Sequence, residues 1–451
     1  MTDKRAGRCG RKFWRSRSGN VALITAASMI PLTFALGMAY DFTMAQSRKD
    51  QIDGMADVAA LGGVTPGLMT QSASVSQAQS SSLFAGQIAT VSGVAYQTSN
   101  LHATASDSVT ASTVTRTVTV SYSAGSQNVF AALLGMSTFP ISGSSTATST
   151  TSPNIDFYLL LDTSPSMEIA ATTSGINTLQ AATVAQQRNA TPAGCAFGCH
   201  ETNPTSGDTV GNPNGEDNYT LARNLGVTMR IDLVNQATQN LMTTAQNTET
   251  ANGASYRVAI YTIDYNYNSL QSLTSNLSSA KTAAANIAAL EVYSNNYITR
   301  NRNNDDEDTS LDGGVSDINT TMPSPGNGTK TAGDTPQEVL FIVTDGLNDA
   351  SSHGTRIYTP IDSSGALCTA IKNRGIRIAV LYTTYNPLDN GPIGGPTWYD
   401  QHVEAVQPRI ATAAQACASP GLFFEVNTDG DISSALTQLF QKAVATARLT
   451  H

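Results

Sequence analysis

The stretch FYLLLDTSPSM, residues 157–167, decides the fold. An apolar strand ends at Asp162, and Ser164 and Ser166 follow at alternate positions. In an open α/β sheet, ligands bind beyond the carboxyl ends of the strands. A turn at that edge can point one carboxylate and two hydroxyls into the same small space, and oxygen atoms of this kind are the ligands that Mg²⁺ prefers.

A second stretch, EVLFIVTDG at residues 338–346, repeats the pattern. Its apolar strand ends at Asp345, so a second carboxylate is expected at the same edge of the sheet. Each motif alone is common, whereas the two together predict a site for one divalent cation. The competing interpretation is that these Ser and Asp residues only cap helices and turns, where both residue types are favoured.

From residue 155 onward, apolar strands alternate with helical patterns. This alternation predicts an α/β fold with a doubly wound, mostly parallel sheet and helices on both faces. The predicted strands cover residues 157–161, 256–263, 339–344, 376–382 and 422–426. The predicted helices cover residues 222–245, 280–290, 366–373, 403–418 and 432–448. The segment of about 168–218, rich in Gly, Asn, Pro and Thr, interrupts this rhythm and is predicted to be an insertion.

The two strand-end motifs resemble the metal-ion-dependent adhesion site of von Willebrand factor A domains. That site is written D-x-S-x-S, then a Thr, then an Asp in a T-D-G-like turn. The Thr comes from a loop between the two motifs, and Thr309 in DEDTSLDGG matches it better than Thr320 or Thr321. The acidic run at 305–308 beside Thr309 is expected to be a solvated loop, with a raised local affinity for cations as the alternative.

The resemblance implies which residues hold the ion. In the family, the two serines and the threonine bind it directly, and the two aspartates bind it directly or through water. The corresponding residues here are Asp162, Ser164, Ser166, Thr309 and Asp345. An Asp or Glu of a protein partner supplies the last ligand. Mg²⁺ is the expected ion, and Mn²⁺ or Ca²⁺ also suits oxygen ligands.

The N-terminal segment predicts a membrane anchor. Residues 1–17 carry seven basic side chains and one acidic one, and residues 21–40 follow without a charge. An apolar run of this length can cross the hydrocarbon core as a helix. The basic flank is expected to stay in the cytoplasm, which sends the C-terminal bulk out of it. A cleaved signal peptide is the alternative, since signal peptides also begin with a basic region.

This segment also resembles the start of TadG-like proteins of bacterial Flp/Tad pilus assembly. The shared features of RSRSGNVALITAASMIPLTFALGMAYDFTMAQSRKDQIDGMADVAALGG are a basic start, a membrane helix beginning near Gly-Asn, an Asp soon after it and an Ala-rich helix. The resemblance implies an anchor in the bacterial inner membrane, a small module and a periplasmic von Willebrand A domain. It also implies partners among pilus or envelope components. The early Glu that related pilin-like members carry for processing is missing from residues 19–40.

The chain is therefore predicted to contain five segments. Between the anchor and the α/β domain, Val114, Val118, Val120 and Tyr122 alternate with Thr and Ser as in a half-buried strand, which indicates a small α+β module. The following tract, SGSSTATSTTSPN, has the composition of a linker. The predicted segments are a basic tail at 1–19, a transmembrane helix at 20–42, a helical stalk and module at 43–141, a linker at 142–154 and the von Willebrand A-type domain at 155–451.

Four of the five cysteines lie beyond the anchor, and an even number in an exported region predicts two disulfides. The helices of Cys368 and Cys417 precede neighbouring strands, so these two are expected to pair. Cys195 and Cys199 would then staple the insertion. The CAFGCH sequence has one residue too many for the C-x-x-C-H of covalent haem attachment, and zinc on these two cysteines and His200 would have too few ligands.

Charge and motif content bear on the class of function. Beyond residue 17 the chain holds 18 basic and 33 acidic residues, a net charge of −15, which argues against nucleic acid as a partner. A metal-dependent phosphohydrolase of the haloacid dehalogenase type is one alternative, but Ser164 stands where its general acid, the second Asp of D-x-D-x-T, is needed. A structural envelope protein with an empty site is the other. The sequence favours a non-enzymatic, metal-dependent binding module for adhesion, in pilus assembly or anchoring.

Overall fold

The computed structural model describes residues 17–110, 113–183, 196, 218–290, 309–352, 355–385 and 398–444. The chain forms two compact units, and each is described by itself. The first unit combines the residues up to Ser108 with Thr115–Thr150, and the second combines Val109–Val114 with the residues from Thr151 onward. The predicted Cys195–Cys199 pair, His200 and the acidic run at 305–308 lie outside the described residues.

The first unit packs helices against a four-stranded sheet. Its helices are α1 (Arg17–Gly62), α2 (Pro66–Met69) and α3 (Ala73–Ile88). Its strands are β1 (Val94–Ala95), β2 (Leu101–Val109), β3 (Val114–Gln127) and β4 (Thr138–Thr151), and β3 pairs with the other three. Alternate residues of β3, among them Val118, Val120 and Tyr122, are buried in one core with Ile52 and Phe84. The predicted half-buried strand is therefore present.

Helix α1 has two halves with different surroundings. Residues 21–40 are apolar and almost all exposed, and by length and composition this part of the helix can cross a membrane. Pro31 lies inside the helix without ending it. Further along, Ile52, Ala56 and Ala59 are fully buried against the sheet. One continuous helix thus joins the apolar span to the core of the first unit.

The prediction of a linker at 142–154 is wrong for most of that segment, because β4 continues to Thr151. The hydroxyls of Thr146 and Thr119 lie 2.9 Å apart, and those of Ser144 and Ser121 lie 2.8 Å apart across the β3–β4 pair. Threonine favours strands, and cross-strand hydroxyl pairs stabilise them. A Ser/Thr-rich tract that alternates in step with its partner is therefore a strand here.

The second unit is built around a six-stranded sheet. Its strands, with a hairpin formed by β9 and β10, are β5 (Ile155–Asp162), β6 (Tyr256–Ile263), β7 (Tyr267–Thr274), β8 (Gln337–Thr344), β9 (Leu347–Ser352), β10 (Thr355–Pro360), β11 (Arg377–Thr383) and β12 (Phe423–Val426). The order in the sheet is β12-β11-β8-β5-β6-β7. All neighbours are parallel except β7, which runs antiparallel to β6 at the edge.

Helices cover both faces of this sheet. They are α4 (Thr173–Thr183), α5 (Asn218–Asn224), α6 (Arg230–Asn252), α7 (Leu277–Ala284), α8 (Leu311–Thr321), α9 (Ala366–Asn373), α10 (Trp398–His402), α11 (Gln407–Cys417) and α12 (Ile432–Val444). On one face, Phe157 and Phe341 pack with Phe440 of α12. On the other face, Leu160 and Leu340 share a core with α8, α9 and α11. The predicted fold class, a doubly wound and mostly parallel α/β sheet after an apolar helix and a small α+β module, is confirmed.

Two predicted boundaries need correction. The helix predicted at 222–245 is two helices, because Gly226 between α5 and α6 adopts a φ of 70° that a helix does not use. Residues 168–183, predicted to open the insertion, belong to the domain itself, since Ile169 is buried and α4 places Leu179 in the main core. The rest of that predicted insertion, apart from the buried Ala196, lies outside the described residues up to 217.

Cys368 of α9 and Cys417 of α11 form a disulfide, with their Cα atoms 5.1 Å apart. Both cysteines are buried in the core on one face of the second unit. The bond links the two helices that flank β11, which is the arrangement expected from the sequence.

Candidate metal site

The site begins where two central strands end side by side. Strands β5 and β8 are parallel neighbours, with Leu161 opposite Val343, so their last residues reach the same edge of the sheet. The hydroxyl of Thr344 donates a hydrogen bond of 2.6 Å to Oδ2 of Asp162. The two strand tips are therefore in direct contact, as the two sequence motifs predict. Thr344 was not among the predicted site residues, although it directly precedes one of them.

The loop after β5 folds back on its own aspartate. Oδ1 of Asp162 accepts hydrogen bonds from the backbone N–H of Ser164, at 3.0 Å, and from its hydroxyl, at 2.5 Å. The hydroxyl oxygens of Ser164 and Ser166 lie 3.0 Å apart. A short 3-10 helix at Pro165–Glu168 holds this turn, and the ring of Pro165 fixes its backbone. Three of the predicted site residues thus converge.

Asp345 joins the set from the other strand. The Ser166 hydroxyl lies near enough to the carboxylate of Asp345 to lower its pKa, and Oδ1 accepts the backbone N–H of Leu347 at 3.2 Å. The other oxygen, Oδ2, is buried without a hydrogen-bond partner among the described residues. Gly346 allows this turn, because its φ is 74° and a Cβ there would lie 2.5 Å from the side chain of Ile410.

The carboxylates of this site carry charge that is poorly compensated. Both are fully buried, and burial raises the pKa of Asp162, with the nearby charge of Asp345 adding to the effect. Burial also raises the pKa of Asp345, while the Ser166 hydroxyl and the guanidinium of Arg230 oppose the rise. Burying two like charges is unfavourable unless a counter-charge is present. This edge of the sheet therefore favours a bound cation.

Arg230, at the start of α6, is a site residue that the sequence analysis missed. It is buried, and Nη2 donates a 2.5 Å hydrogen bond to the carbonyl of Thr384, while Nη1 has no partner among the described residues. Burial lowers the pKa of Arg230, and Asp345 opposes this. A basic residue at a helix start carries no distinctive sequence signal, so nothing in the pattern could have pointed to it.

Thr309 lies at the same edge but is joined to it through the backbone. It forms an isolated β-bridge with Asp349, with N–H to carbonyl distances of 3.0 Å in both directions. The next residue, Ser310, donates its N–H to the carbonyl of Asp264 at 2.8 Å. Thr309 is buried, and its backbone pairing with Asp349 ties it to the strand that follows Asp345. Its place in the ligand set stays a prediction.

A further buried carboxylate, Asp264, was also missed. It follows β6 directly, and its Oδ2 faces the hydroxyl of Thr163 at 3.3 Å. Its Oδ1 accepts the N–H of Asn266 at 2.8 Å, and burial raises its pKa. The sequence did carry a signal, because Asp264 ends an apolar strand in the same way as the two predicted aspartates.

The side chains present fit a hard divalent cation. Two carboxylates and two hydroxyls meet in one largely buried place, and one carboxylate oxygen has no partner in the part of the chain that the structure describes. The described part of the chain has no cluster of three or more His, Cys, Asp and Glu side chains that could hold a metal, so hydroxyls would complete the ligand set. Oxygen-only ligands suit Mg²⁺, Mn²⁺ and Ca²⁺ better than softer metals.

The N-terminal segment matches a known family. Residues 19–71 match the family model described as "Putative Flp pilus-assembly TadE/G-like". This confirms the resemblance inferred from the N-terminal sequence, over helix α1 and the residues just after it. A comparison with curated proteins gives no significant match.

Several solved structures are similar to the chain at low scores. BatB, a conserved hypothetical protein from Bacteroides thetaiotaomicron, is 12% identical, with 64% of this chain and 98% of BatB covered and a TM-score of 0.34. The vWF domain of the type V pili tip protein Mfa5 from Porphyromonas gingivalis is 9% identical, with coverages of 66% and 98% and a TM-score of 0.34.

Proximal thread matrix protein 1 from the mussel byssus, with a zinc-occupied MIDAS motif, is 12% identical and has a TM-score of 0.32. The match covers 65% of this chain and 46% of the mussel protein, so the chain spans less than half of that relative. The fold is defined by the strand order described above rather than by these scores.

Proposed function

We propose that this chain is a membrane-anchored, metal-dependent protein-binding module. In this proposal a divalent cation, in the first place Mg²⁺, binds at the edge of the sheet, and an Asp or Glu of a protein partner completes its ligands. The residues that hold the ion are Asp162, Ser164, Ser166, Thr309 and Asp345. The chain captures its partner without chemical turnover, as expected of a non-enzymatic von Willebrand A-type domain.

One observation carries the proposal. Asp162, Ser164 and Ser166, at the end of β5, meet Asp345 at the end of the neighbouring strand β8, whose Thr344 donates a hydrogen bond to Asp162. Asp162, Ser164 and Asp345 are buried and Ser166 is partly buried, and an oxygen of Asp345 has no partner among the described residues. Residues that only capped their own helix or turn would not need to meet across two strands.

The cellular setting follows from the N-terminal half. Helix α1 is proposed to cross the bacterial inner membrane once, with the N-terminus in the cytoplasm and the bulk of the chain in the periplasm. The family match of residues 19–71 supports a role in the assembly or anchoring of an Flp/Tad-type pilus, with pilus or envelope components as partners. The Cys368–Cys417 disulfide supports an oxidising compartment.

A pull-down from bacterial membranes tests the proposal. The tagged full chain is incubated with solubilised envelope proteins in Mg²⁺ or in chelator, and the Ser164→Ala/Ser166→Ala variant is compared with Ser278→Ala, an exposed serine on α7. We expect a partner that is retained in Mg²⁺ by wild type and Ser278→Ala, and lost with chelator or with the double variant. Equal retention in all samples would contradict metal-dependent capture. Hydrolysis of a phosphoester that is lost in Asp162→Asn would favour the phosphohydrolase alternative instead.

A further inference from the structure

The loop between β3 and β4 carries an exposed apolar tip. Residues 129–136 read VFAALLGM, without a polar side chain. Four of them are largely exposed: Val129 is 63% exposed, Leu133 74%, Leu134 57% and Met136 48%. Contiguous exposed apolar side chains of this kind mark a surface that contacts something other than water. We call residues 129–136 the tip loop.

The tip loop is fixed to helix α1 by one buried aspartate. The carboxylate of Asp41 accepts the backbone N–H groups of Val129 at 2.9 Å, Phe130 at 2.8 Å and Ala131 at 2.7 Å. These groups open the short 3-10 helix Ala131–Leu134, so Asp41 satisfies donors that the helix start would otherwise leave unpaired. The loop therefore has a set position along α1.

That position is beside the apolar span. Phe130 packs on Gly37, where a Cβ would lie 2.3–2.6 Å from atoms of the phenyl side chain. The ring of Phe130 also meets that of Tyr40 edge to face, with the centroids 6.3 Å apart. Gly37 and Tyr40 both belong to the uncharged run at 21–40. The contacts thus hold the tip loop level with the last turns of the run that is proposed to cross the membrane.

We propose that the tip loop inserts into the lipid bilayer beside helix α1, as a second contact of the first unit with the membrane. This inference rests on the proposed anchoring of α1. A lipid surface is favoured because the tip loop contacts Gly37 and Tyr40, whose neighbours on α1, Leu36 and Phe42, are exposed apolar side chains. In addition, the stretch 117–155, which holds β3 beyond Arg116, the loop and β4, contains no Asp, Glu, Lys or Arg.

The consequence is a fixed orientation of the first unit at the membrane. A single spanning helix lets the unit that it carries rotate and tilt. Four apolar side chains buried in the interface beside the helix oppose that motion, because lifting the loop out would expose them to water. The buried Asp41 then acts as a positioning residue, since its hydrogen bonds keep the loop against the helix.

Depth-dependent fluorescence quenching tests the inference in the full chain. With Cys9→Ser, Cys195→Ser and Cys199→Ser, the Cys368–Cys417 disulfide remains and a newly introduced cysteine is the one free thiol. A polarity-sensitive fluorophore is attached to one of three single variants: Leu133→Cys in the tip loop, Ile30→Cys in the apolar run, or Ser108→Cys. Ser108 is exposed and lies beside the Asp107–Arg116 ion pair, at the other end of β3 from the tip.

The labelled chains are reconstituted into phosphatidylcholine vesicles that contain nitroxide-labelled lipids. We expect a blue shift and strong quenching at Ile30→Cys and Leu133→Cys, and neither at Ser108→Cys. Leu134→Cys, also exposed, repeats the tip measurement at a second position. Because Leu133 is largely exposed, its replacement leaves the core intact.

The remaining outcomes are distinguishable. Quenching at Ile30→Cys with a water-like signal at both tip positions would overturn the inference and leave the anchor in place. Loss of quenching at Ile30→Cys as well would overturn the anchoring on which the proposed function depends. A blue shift at the tip without lipid quenching would mean that protein, a second copy or a partner, covers the loop, and would also overturn the inference.

Discussion

Strands β5 and β8 carry a pair of buried carboxyl groups at each of their two ends, and the two ends compensate the charge differently. At the amino ends, Asp156 lies opposite Glu338 in the sheet. Arg257 donates two hydrogen bonds to Asp156, at 2.7 Å and 2.5 Å, in the paired geometry that arginine and carboxylate favour. Burial, followed by the charge of Asp156, raises the pKa of Glu338 to about 8, which holds it in the neutral form at neutral pH.

At the carboxyl ends of the two strands, the protein supplies less positive charge to the carboxylates. Asp162 has hydroxyl and amide donors, and Arg230 acts on Asp345 while its own hydrogen bond goes to the carbonyl of Thr384. One oxygen of Asp345 stays without a partner among the described residues, as do both oxygens of Glu338, which its raised pKa keeps neutral. A carboxyl pair that the chain neutralises itself is part of the structure. A pair at the loop end of the sheet that is left short of a counter-charge is suited to an ion from outside.

The largest expected effect is on metal affinity. Asp162→Asn and Asp345→Asn each remove one charge from the proposed metal site, so we expect Mn²⁺ binding, measured by isothermal titration calorimetry, to weaken by at least about 100-fold. Asp156→Asn is the matched control, because it removes a buried aspartate from the opposite end of the same strand. Unchanged Mn²⁺ binding in both site variants, or an equal loss in the control, would contradict the claim that the ion binds at the carboxyl ends of β5 and β8 and not at their amino ends.

The second prediction concerns Arg257, whose side chain is partly exposed. Arg257→Met leaves the buried Asp156 without its paired donors, so the free energy of unfolding is expected to fall by about 2 kcal/mol. Urea unfolding of the full chain in detergent measures this, and Mn²⁺ affinity is expected to stay at the wild-type value. If Arg257→Met were as stable as wild type, the amino ends would not depend on an internal counter-charge.

The third prediction is a pH dependence of metal binding. Burial and mutual repulsion raise the pKa of Asp162, and burial raises that of Asp345, so protons compete with the ion for these oxygens. Lowering the pH from about 8 to about 5 is expected to weaken Mn²⁺ binding, by roughly tenfold for each pH unit and displaced proton. Calorimetry in buffers of different ionisation enthalpy also counts the protons released. An affinity that is constant across this range would contradict the assignment of buried, ionising ligands.

The fourth prediction concerns the pH dependence of stability at Glu338. Its pKa in the folded protein is raised to about 8 from a usual 4.5, so its contribution to stability is complete below about pH 4.5 and is lost as the pH rises towards 8. Glu338→Gln cannot ionise, and the decline of the unfolding free energy between about pH 5 and pH 8 is expected to become shallower. A variant that follows the wild-type slope would show that Glu338 does not hold its proton.

Much of the fold was predictable because its central strands have long apolar segments. The segment 339–343 is apolar and buried on both faces, so its composition alone marks it as part of a central strand. The hairpin formed by β9 and β10 and the edge strand β7 were missed, since polar and partly exposed strands lack that mark. The β4 strand was read as a linker because composition does not reveal that its threonines pair with those of β3.

The candidate site was predictable to the extent that its residues follow strands directly. Asp162 and Asp345 were found in this way, and the same rule would have found Asp264. Thr309 could be proposed only from the resemblance, and the structure joins it to the edge of the sheet by backbone bonds. Arg230 could not be predicted from the sequence, because the contact between a helix start and a strand end depends on tertiary packing and leaves no local pattern.

The most direct test of the metal site is a crystal structure of the protein in Mn²⁺, with anomalous scattering used to locate the ion. The account predicts one strong anomalous peak between the Asp162 and Asp345 carboxylates, in contact with the hydroxyls of Ser164 and Ser166. An anomalous map without a peak at this position at saturating Mn²⁺, with the four side chains still bonded to one another, would contradict it.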